Sequence, residues 1–184
     1  MAINLEKGQR ESISAPKFTV GLGWDSNTNT TGEGFDVDAS VFVLGANGKL
    51  LSDNHFVYYN NLKTPDMAVV HRGDNTTGAG DGDDEKIVVD LSKISPDVVE
   101  ISFVVTIHKA AEKRQNFGQI RNSFIRIVDD STNTELVKYE LDEDFSIETA
   151  VQFGRIYKKN SEWKFEAIGA GMKGGLQDYL TKYN

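Results

Sequence analysis

Acidic side chains crowd into two short segments of this sequence of 184 residues. The segment DNTTGAGDGDDE, residues 74–85, holds five acidic residues and no basic one. Further upstream, the GFDVDAS motif places Asp36 and Asp38 one residue apart. Carboxylates at this density repel one another, so a compact fold keeps them together only if a bound cation or full solvation relieves the repulsion. The pattern favours a hard cation such as Ca²⁺.

These segments also offer the oxygen ligands that Ca²⁺ prefers. The ion takes about six to eight oxygens from carboxylates, side-chain amides and main-chain carbonyls, and glycine lets a carbonyl turn towards the ion without a side-chain clash. The predicted ligands are Asp25, Asp36, Asp38, Asp74, Asn75, Asp83, Asp84 and Glu85. A set of this size leaves room for two ions.

An acidic, glycine-rich loop can also be fully solvated, and an isolated DGDDE motif is compatible with that interpretation. Asp36 and Asp38 favour cation binding, because Asp is depleted from strands and these two lie inside an otherwise good strand pattern. No segment matches the EF-hand consensus with its glutamate at the twelfth position. A calcium site would therefore be discontinuous and built from loops at one end of the fold. C2-type domains offer an analogy of architecture only.

Other catalytic and metal-binding patterns are weak in this sequence. His55, His71 and His108 stand alone at predicted strand ends, so structural roles are favoured over zinc ligation. The GAGDGDDEK segment lacks the lysine and hydroxyl pair of a phosphate-binding loop, and no G-x-S-x-G motif is present. We therefore favour a non-catalytic protein. A metal-assisted hydrolase that uses the same acids and a purely structural interaction module remain as alternatives.

Charge and composition narrow the classes of partner. The chain carries 28 acidic and 20 basic residues, a net charge of -8, which repels the phosphate backbone of nucleic acids and anionic membrane surfaces. Cysteine is absent, which excludes disulfides, thiolate metal sites and a cysteine nucleophile. We therefore expect neither nucleic-acid binding nor thiol redox chemistry.

The elements that position the acids are predicted to be strands. Residues 17–24, KFTVGLGW, and residues 35–43, FDVDASVFV, alternate apolar side chains with small or polar ones, the period of a half-buried strand. In the second segment the apolar residues share one face. Asp36 and Asp38 therefore emerge together on the other face, about 7 Å apart at the usual strand rise.

Further β-type segments continue along the chain. They are residues 55–59, 68–72, 86–91, 98–108, 123–130, 134–141, 150–159 and 163–169. Ten short strands separated by Gly, Asn, Asp and Ser clusters predict an all-β antiparallel sandwich, with a barrel as the alternative. A brief helical turn is predicted at residues 110–115. Apolar residues at helical spacing from Leu176 to Tyr183 predict a C-terminal helix that packs on a sheet.

The segment EKRQNFGQIRNSFIRI mixes arginines with amide side chains. Arg114, Arg121 and Arg126 can belong to a solvated turn, or they can brace the acidic loops, since a guanidinium pairs well with a carboxylate. Both interpretations fit the sequence.

The sequence predicts one domain over residues 1–184, because its 39% of hydrophobic residues can bury one good-sized core. Residues 1–16 lack the apolar core of a signal peptide, and no run approaches the roughly 18 apolar residues of a membrane span. We expect a cytoplasmic protein with no direct membrane insertion.

Six longer motifs follow one another along the chain. They are GLGWD (21–25), GFDVDASVFVL (34–44), FVYYNNL (56–62), GDNTTGAGDGDDEKIVVDL (73–91), KRQNFGQIRNSFIRIVD (113–129) and AVQFGRIYKKNSEWKFEAIG (150–169). Together they resemble the tellurium-resistance TerD family, which includes bacterial stress proteins. The likeness spans nearly the whole chain, so it is far more specific than a single glycine-rich motif.

The resemblance implies a calcium-binding β-sandwich in the cytoplasm, associated with tellurite resistance and general stress. It also implies assembly with other Ter-family proteins, including a membrane-embedded one. By the same resemblance the eight predicted ligands are calcium ligands, and Glu33 and Asp81 are further candidates. Because the chain lacks cysteine, we do not expect its own thiols to reduce or sequester tellurite.

Overall fold

The computed structural model describes four ranges of the chain, residues 2–26, 35–73, 82–141 and 145–184. Within them, twelve strands form two sheets of six strands that pack face to face around a shared core. The helices there are few and short, and one of them lies at the C-terminus. The predicted all-β sandwich with short helices, one at the C-terminus, is confirmed.

The elements are numbered in chain order. The strands are β1 Ile3–Leu5, β2 Arg10–Ser12, β3 Lys17–Ser26, β4 Val37–Gly45, β5 Phe56–Val57, β6 Val69–His71, β7 Glu85–Asp90, β8 Val98–Ile107, β9 Ile120–Asp129, β10 Thr134–Glu140, β11 Ala150–Lys159 and β12 Glu162–Met172. The helices are α1 Ala110–Lys113 and α2 Leu176–Tyr183, with 3₁₀ turns at Asp53–His55 and Phe117–Gln119. The acidic residues of interest lie in or beside β3, β4 and β7.

Sheet 1 has the strand order β1-β10-β9-β3-β7-β6, and sheet 2 has the order β2-β12-β11-β8-β4-β5. Among these described strands, the neighbours run antiparallel except β1 and β10, which are parallel with Ile3 opposite Val137. The sequence predicted antiparallel pairing throughout. The exception arises at an edge, because no tight hairpin joins β1 to β10 and so none fixes their relative direction.

The core is built from the inward faces of both sheets. Phe18 and Val20 of β3 and Ile125 of β9 face inward from sheet 1, and Ile101 and Phe103 of β8 face inward from sheet 2. All five side chains are fully or almost fully buried. Each such burial contributes about 1.5–3 kcal/mol relative to an exposed side chain. This alternation fixes which residues point away from the core and are therefore available for a site.

A second apolar cluster covers part of the outer face of sheet 2. Phe42 of β4 packs against Tyr183 of α2 with the rings tilted and their centroids 4.8 Å apart, and the ring of Tyr179 lies 6.1 Å from that of Phe42. Phe56 of β5 stacks on Phe42 at 4.8 Å. Helix α2 therefore packs on a sheet, as the spacing of its apolar residues predicted.

Several elements differ from the sequence-based prediction. Strands β1 and β2 were not predicted, because each has only three residues and neither alternates clearly in polarity. The predicted strand at residues 55–59 shortens to the two residues of β5. The predicted helical turn becomes the four residues of α1, which lies between Lys109 and Arg114, both in the left-handed backbone region.

Within the described ranges, no helix combines the length and the apolar composition that crossing a bilayer requires.

Candidate metal centre

The described acids do not form one cluster. Six of the eight predicted ligands lie in the described ranges, whereas Asp74 and Asn75 lie outside the described residues, as do the further candidates Glu33 and Asp81. The six divide into a group on the sheet 1 side, a pair on the outer face of sheet 2, and one buried glutamate between the sheets. Each group has its own hydrogen-bond partners.

Asp84 is the most constrained acid of the sheet 1 group. Its backbone N–H donates to the carbonyl of Leu22 at 2.8 Å, and its Oδ2 accepts the Trp24 N–H at 2.7 Å. Burial raises the pKa of Asp84, the Trp24 hydrogen bond lowers it, and the charges of Asp25 and Asp83 raise it further, with a net upward shift. A buried carboxylate that faces two other carboxylates is the electrostatic setting of a cation site.

Asp25 lies beside Asp84 at the end of β3. Its Oδ2 accepts a hydrogen bond from Asn122 Nδ2 at 2.7 Å. Asn122 has a φ of 54°, and the pairing of β3 with β9 shifts register between Gly23 and Asp25. Such an irregularity re-aims side chains at a strand end. It leaves Asp25 exposed and anchored by one side-chain amide.

Asp83 is already neutralised by an arginine. Arg126 Nε and Nη2 donate to the two carboxylate oxygens at 2.8 and 2.9 Å, and Arg126 Nη1 donates to Glu135 at 2.9 Å. The Asp83 side chain is 3% exposed. The sequence left open whether the arginines brace the acidic loops, and Arg126 does so. Its pKa is raised, mainly by the hydrogen bond to Asp83.

Glu85 joins the two sheets. Its Oε2 accepts the N–H of Ala39 in β4 at 2.8 Å and a hydrogen bond from His71 Nε2 at 3.0 Å. His71 Nδ1 accepts the Gly73 N–H at 3.1 Å, so the ring proton belongs on Nε2 and points to Glu85. Ala39 lies beyond the residues of β4 that pair with the short β5. Glu85 thus completes the hydrogen bonding of an open strand edge.

Asp36 and Asp38 form the pair on sheet 2. Val37 and Ala39 point into the core, so the two aspartates face outward, as predicted. They line a pocket of about 150 Å³ with Tyr59 and His108. Asp36 Oδ1 is buried there without a hydrogen-bond partner among the described residues. A buried carboxylate oxygen in that state is a natural position for a cation ligand.

A larger groove begins at the same place. It has a volume of about 740 Å³ and runs from Asp38, Tyr59 and His108 between α1 and α2. On the sheet 1 side, Asp83 and Asp84 line a separate pocket of about 240 Å³ with Arg72 and Lys86. The two carboxylate groups therefore open onto different surfaces.

The donor set suits a hard cation. Carboxylates dominate both groups, and the buried His71 is bonded to Glu85 instead of facing either pocket. No group of three or more His, Cys, Asp or Glu side chains within the described ranges is placed to hold a metal on its own. Further oxygens would have to complete each site. The eight ligands therefore stay a prediction.

Four contacts at the site had no specific signal in the sequence. The N–H groups of Trp24 and Ala39 bind Asp84 and Glu85, but any residue supplies a backbone N–H. His71 looked isolated because its partner is 14 residues away. Asn122 was visible only as one of several amides near the arginines.

The whole chain matches known proteins. The TerD domain family matches residues 1–183. General stress protein 16U of Bacillus subtilis (strain 168) is 51% identical over 188 residues, covering 100% of this chain and 97% of the relative. Tellurium resistance protein TerD of Alcaligenes sp is 50% identical, with the same coverage.

A solved structure, described as a homologue of the telluride resistance protein TerD from Streptomyces coelicolor A3(2), superposes with a TM-score of 0.72. It covers 91% of this chain and 96% of its own, at 17% identity. At 17% identity, this structural similarity shows the fold and nothing further.

Proposed function

The chain belongs to the TerD family, and on that premise we propose that it is a calcium-binding, non-catalytic protein of stress and tellurite resistance. The observation that carries the proposal is Asp84, a nearly buried carboxylate whose pKa is raised by burial and by the charges of Asp25 and Asp83. The unpaired oxygen of Asp36 in the second pocket supports it.

Two carboxylate pairs would hold the ions. Asp25 and Asp84 would serve on the sheet 1 side, and Asp36 and Asp38 on sheet 2. A bound Ca²⁺ would supply two positive charges and take about six to eight oxygens, more than either pair offers. Completion of the sites by further oxygens, with Asp74 and Asn75 as the predicted ligands that remain, is part of the proposal.

Asp83 and Glu85, the other two described acids, would hold the neighbouring strands and side chains in place without binding the ions. Asp83 holds its place through Arg126, and Glu85 holds β4 to β7 through Ala39 and His71. Both carboxylates already accept strong hydrogen bonds, so we assign them positioning roles.

The proposal extends to partners and location. Neutralising the acidic segments would relieve their mutual repulsion and order a surface for a partner. By family membership, the partners proposed are other Ter-family proteins, including a membrane-embedded one, and the location proposed is the cytoplasm. Binding to nucleic acid is not part of the proposal, given the net charge of -8.

Calorimetric titration of calcium into metal-free protein tests the proposal, combined with thermal melts. We expect binding heat and a rise in Tm, because a ligand that binds only the folded state stabilises it. Magnesium should bind more weakly, since it demands a tighter octahedral cage. Asp84→Asn and Asp38→Asn should each reduce the heat. No heat and no Tm shift at millimolar calcium would sink the proposal.

A matched control is Asp97→Asn. Asp97 is exposed and precedes β8, whereas Asp38 pairs with Thr106 near the other end of that strand. The Asp97→Asn substitution removes one negative charge, as Asp84→Asn does, but at a position away from both carboxylate pairs. A loss of calcium heat in this variant equal to that in Asp84→Asn would point to unspecific counter-ion binding.

One observation favours a second candidate, a metal-assisted hydrolase. The groove of about 740 Å³ reaches Asp38, so a substrate would fit beside a cation held there. Hydrolysis of p-nitrophenyl acetate and p-nitrophenyl phosphate with calcium tests this candidate. It requires turnover that Asp38→Asn abolishes. If the protein is instead a purely structural interaction module, its affinity for a partner should not change when a chelator removes calcium.

A further inference from the structure

We propose that helix α2 detaches as a unit from the outer face of sheet 2 while the β-sandwich stays folded, and that this opening exposes an apolar surface that contains Phe42. The inference does not depend on the proposed cation binding. It assigns a conformational device to a part of the chain that carries none of the predicted ligands.

The apolar residues beneath α2 form a cluster of their own. Phe42 and Val104 of sheet 2 belong to this second cluster together with Tyr179 and Tyr183 of α2. The main core between the sheets, as far as the described residues define it, contains no residue of α2. The departure of α2 therefore leaves the packing of the main core intact.

Hydrogen bonds to the last carbonyls of α2 tie the end of the helix to the residues after β4. The Leu50 N–H donates to the carbonyl of Tyr183 at 2.8 Å, and Lys49 Nζ donates to the carbonyl of Lys182 at 3.0 Å. Within the described ranges, no ion pair joins α2 to the rest of the protein. The attachment of α2 therefore depends mainly on apolar burial.

The connection before α2 provides a pivot. The Gly174 N–H donates to Thr149 Oγ1 at 3.0 Å, and the same hydroxyl donates to the Gly174 carbonyl. The next residue, Gly175, precedes the first turn of the helix, and a Cβ atom there would meet nothing within 4 Å. Rotation at Gly175 is therefore sterically free, while Thr149 keeps the end of β12 in place through the Met172 carbonyl.

The length of α2 predicts that it opens as one unit. The helix has eight residues, and isolated helices shorter than about 12–15 residues are marginal in water. Once its contacts with sheet 2 are lost, α2 therefore loses its helical form as well. A segment packed apart from the main core opens at a lower free energy than the whole protein.

Opening changes two surfaces. Ser40 of β4 lies opposite Val104 and is 1% exposed, and its hydroxyl has no hydrogen-bond partner among the described residues. Water can reach this hydroxyl once α2 has left, which favours the open state. Leu176 and Leu180 line the groove of about 740 Å³ that reaches Asp38, so detachment of α2 also removes one wall of that groove.

Single cysteines can report the opening, because the chain contains no cysteine. Val104 and Val105 are neighbours in β8 and are both 0% exposed, but Val104 belongs to the cluster beneath α2 and Val105 to the main core. Val104→Cys and Val105→Cys are therefore a matched pair, since a buried cysteine behaves as a small apolar residue.

The probe is 5,5′-dithiobis(2-nitrobenzoic acid), added to the full chain in native, metal-free buffer. We expect Val104→Cys to react at least about tenfold faster than Val105→Cys, because opening of α2 requires less free energy than global unfolding. Equal reaction rates of the two cysteines would overturn the proposal.

Two substitutions test whether the fast reaction passes through α2. Tyr183→Ala removes the ring that packs on Phe42 and should speed the reaction of Val104→Cys at least about fivefold. Gln177→Ala shortens an exposed side chain of the same helix and should leave the rate unchanged. A rate that ignores Tyr183→Ala, or that rises equally with Gln177→Ala, would mean that Val104 is reached by another route, and the proposal would fail.

A third substitution separates the opening of α2 from global unfolding. Ile101→Val weakens the main core and should speed the reaction of Val105→Cys severalfold. The reaction of Val104→Cys should not change, because the main core stays packed when α2 detaches. If Ile101→Val accelerates both cysteines equally, α2 unfolds only together with the sandwich and the proposal is overturned.

Hydrogen exchange of the unsubstituted protein gives the same comparison without a cysteine. The amides of residues 180–183 should share one exchange free energy, which lies below that of the β8 amides. A graded series of values along α2 would indicate fraying from the chain end instead of opening as a unit. Values equal to those of β8 would show that α2 does not open separately, and either result overturns the proposal.

Discussion

Arg126 and Asp83 face each other across Gly21. The guanidinium donates two parallel hydrogen bonds to the carboxylate, at 2.8 and 2.9 Å. Gly21 of β3 lies opposite Arg126 on one neighbouring strand and opposite Lys86 on the other. A Cβ atom built on Gly21 would overlap the Asp83 carboxyl group. The ion pair therefore depends on glycine at position 21, because any side chain there would occupy the space of the Asp83 carboxylate.

Gly21→Ala should destabilise the protein by about 1–3 kcal/mol, because the added methyl group displaces the Asp83 side chain from Arg126. Urea unfolding measures the change. Gly175→Ala is the matched control, since a Cβ atom there meets nothing within 4 Å. Equal effects of the two substitutions would show that backbone entropy, and not overlap with Asp83, decides the result.

Arg126→Met should cost about 1–3 kcal/mol, because it leaves the nearly buried Asp83 without its charged donors while keeping the aliphatic stem. A double-mutant cycle with Asp83→Asn isolates the pair. We expect the two substitutions together to cost clearly less than the sum of the single changes. Strict additivity would mean that the two hydrogen bonds contribute nothing to stability.

Glu85→Ala should be more harmful, at about 2–4 kcal/mol, because it leaves the Ala39 N–H and the His71 Nε2–H buried without an acceptor. Glu85→Gln keeps an oxygen for both donors and should cost less. Thermal melts of both variants in metal-free buffer give the comparison. If the glutamine variant were as unstable as the alanine variant, the negative charge and not the acceptor would be what β4 requires.

The sequence predicted the features that depend on the spacing of apolar and polar residues within a single strand or helix. Alternation placed Asp36 and Asp38 on the face opposite to Val37 and Ala39, and the structure agrees. Helical spacing predicted α2 and its packing against a sheet. Both follow from residues close together in the chain, whose side chains take their direction from the backbone geometry of a single element.

Features that depend on strand pairing could not be predicted. Arg126 and Asp83 are 43 residues apart in the chain, and Asn122 and Asp25 are 97 apart. Their contacts exist only because β9 and the approach to β7 flank β3. For the same reason, the sequence did not show that the described acids divide between the two sheets. The sequence pattern within one strand does not indicate which sheet that strand joins.

Asp84 makes the stability of the metal-free protein depend on pH. Burial and the charges of Asp25 and Asp83 raise its pKa above that of an unfolded aspartate, despite the Trp24 hydrogen bond. A raised folded pKa means that protonation favours the folded state. This contribution is complete below the unfolded pKa of about 4 and is lost as the pH rises through the folded pKa.

Asp84→Asn keeps an oxygen for the Trp24 N–H and removes the charge, so the variant resembles the protonated wild type at every pH. In metal-free buffer we expect it to be more stable than the wild type near neutral pH. This advantage should vanish as the pH falls through the folded pKa. Urea unfolding over that pH range measures the difference, and a difference independent of pH would contradict the assignment.

Calcium should reverse the order of the two proteins. At neutral pH the ionised Asp84 costs stability when it faces Asp25 and Asp83 without a cation. On the proposed function, the same carboxylate would be a ligand when calcium is present, and the wild type would gain binding free energy that the variant would lose in part. The wild type should then be the more stable protein. Because destabilisation by substitution alone has one sign under both conditions, only a cation site at Asp84 produces this change of sign.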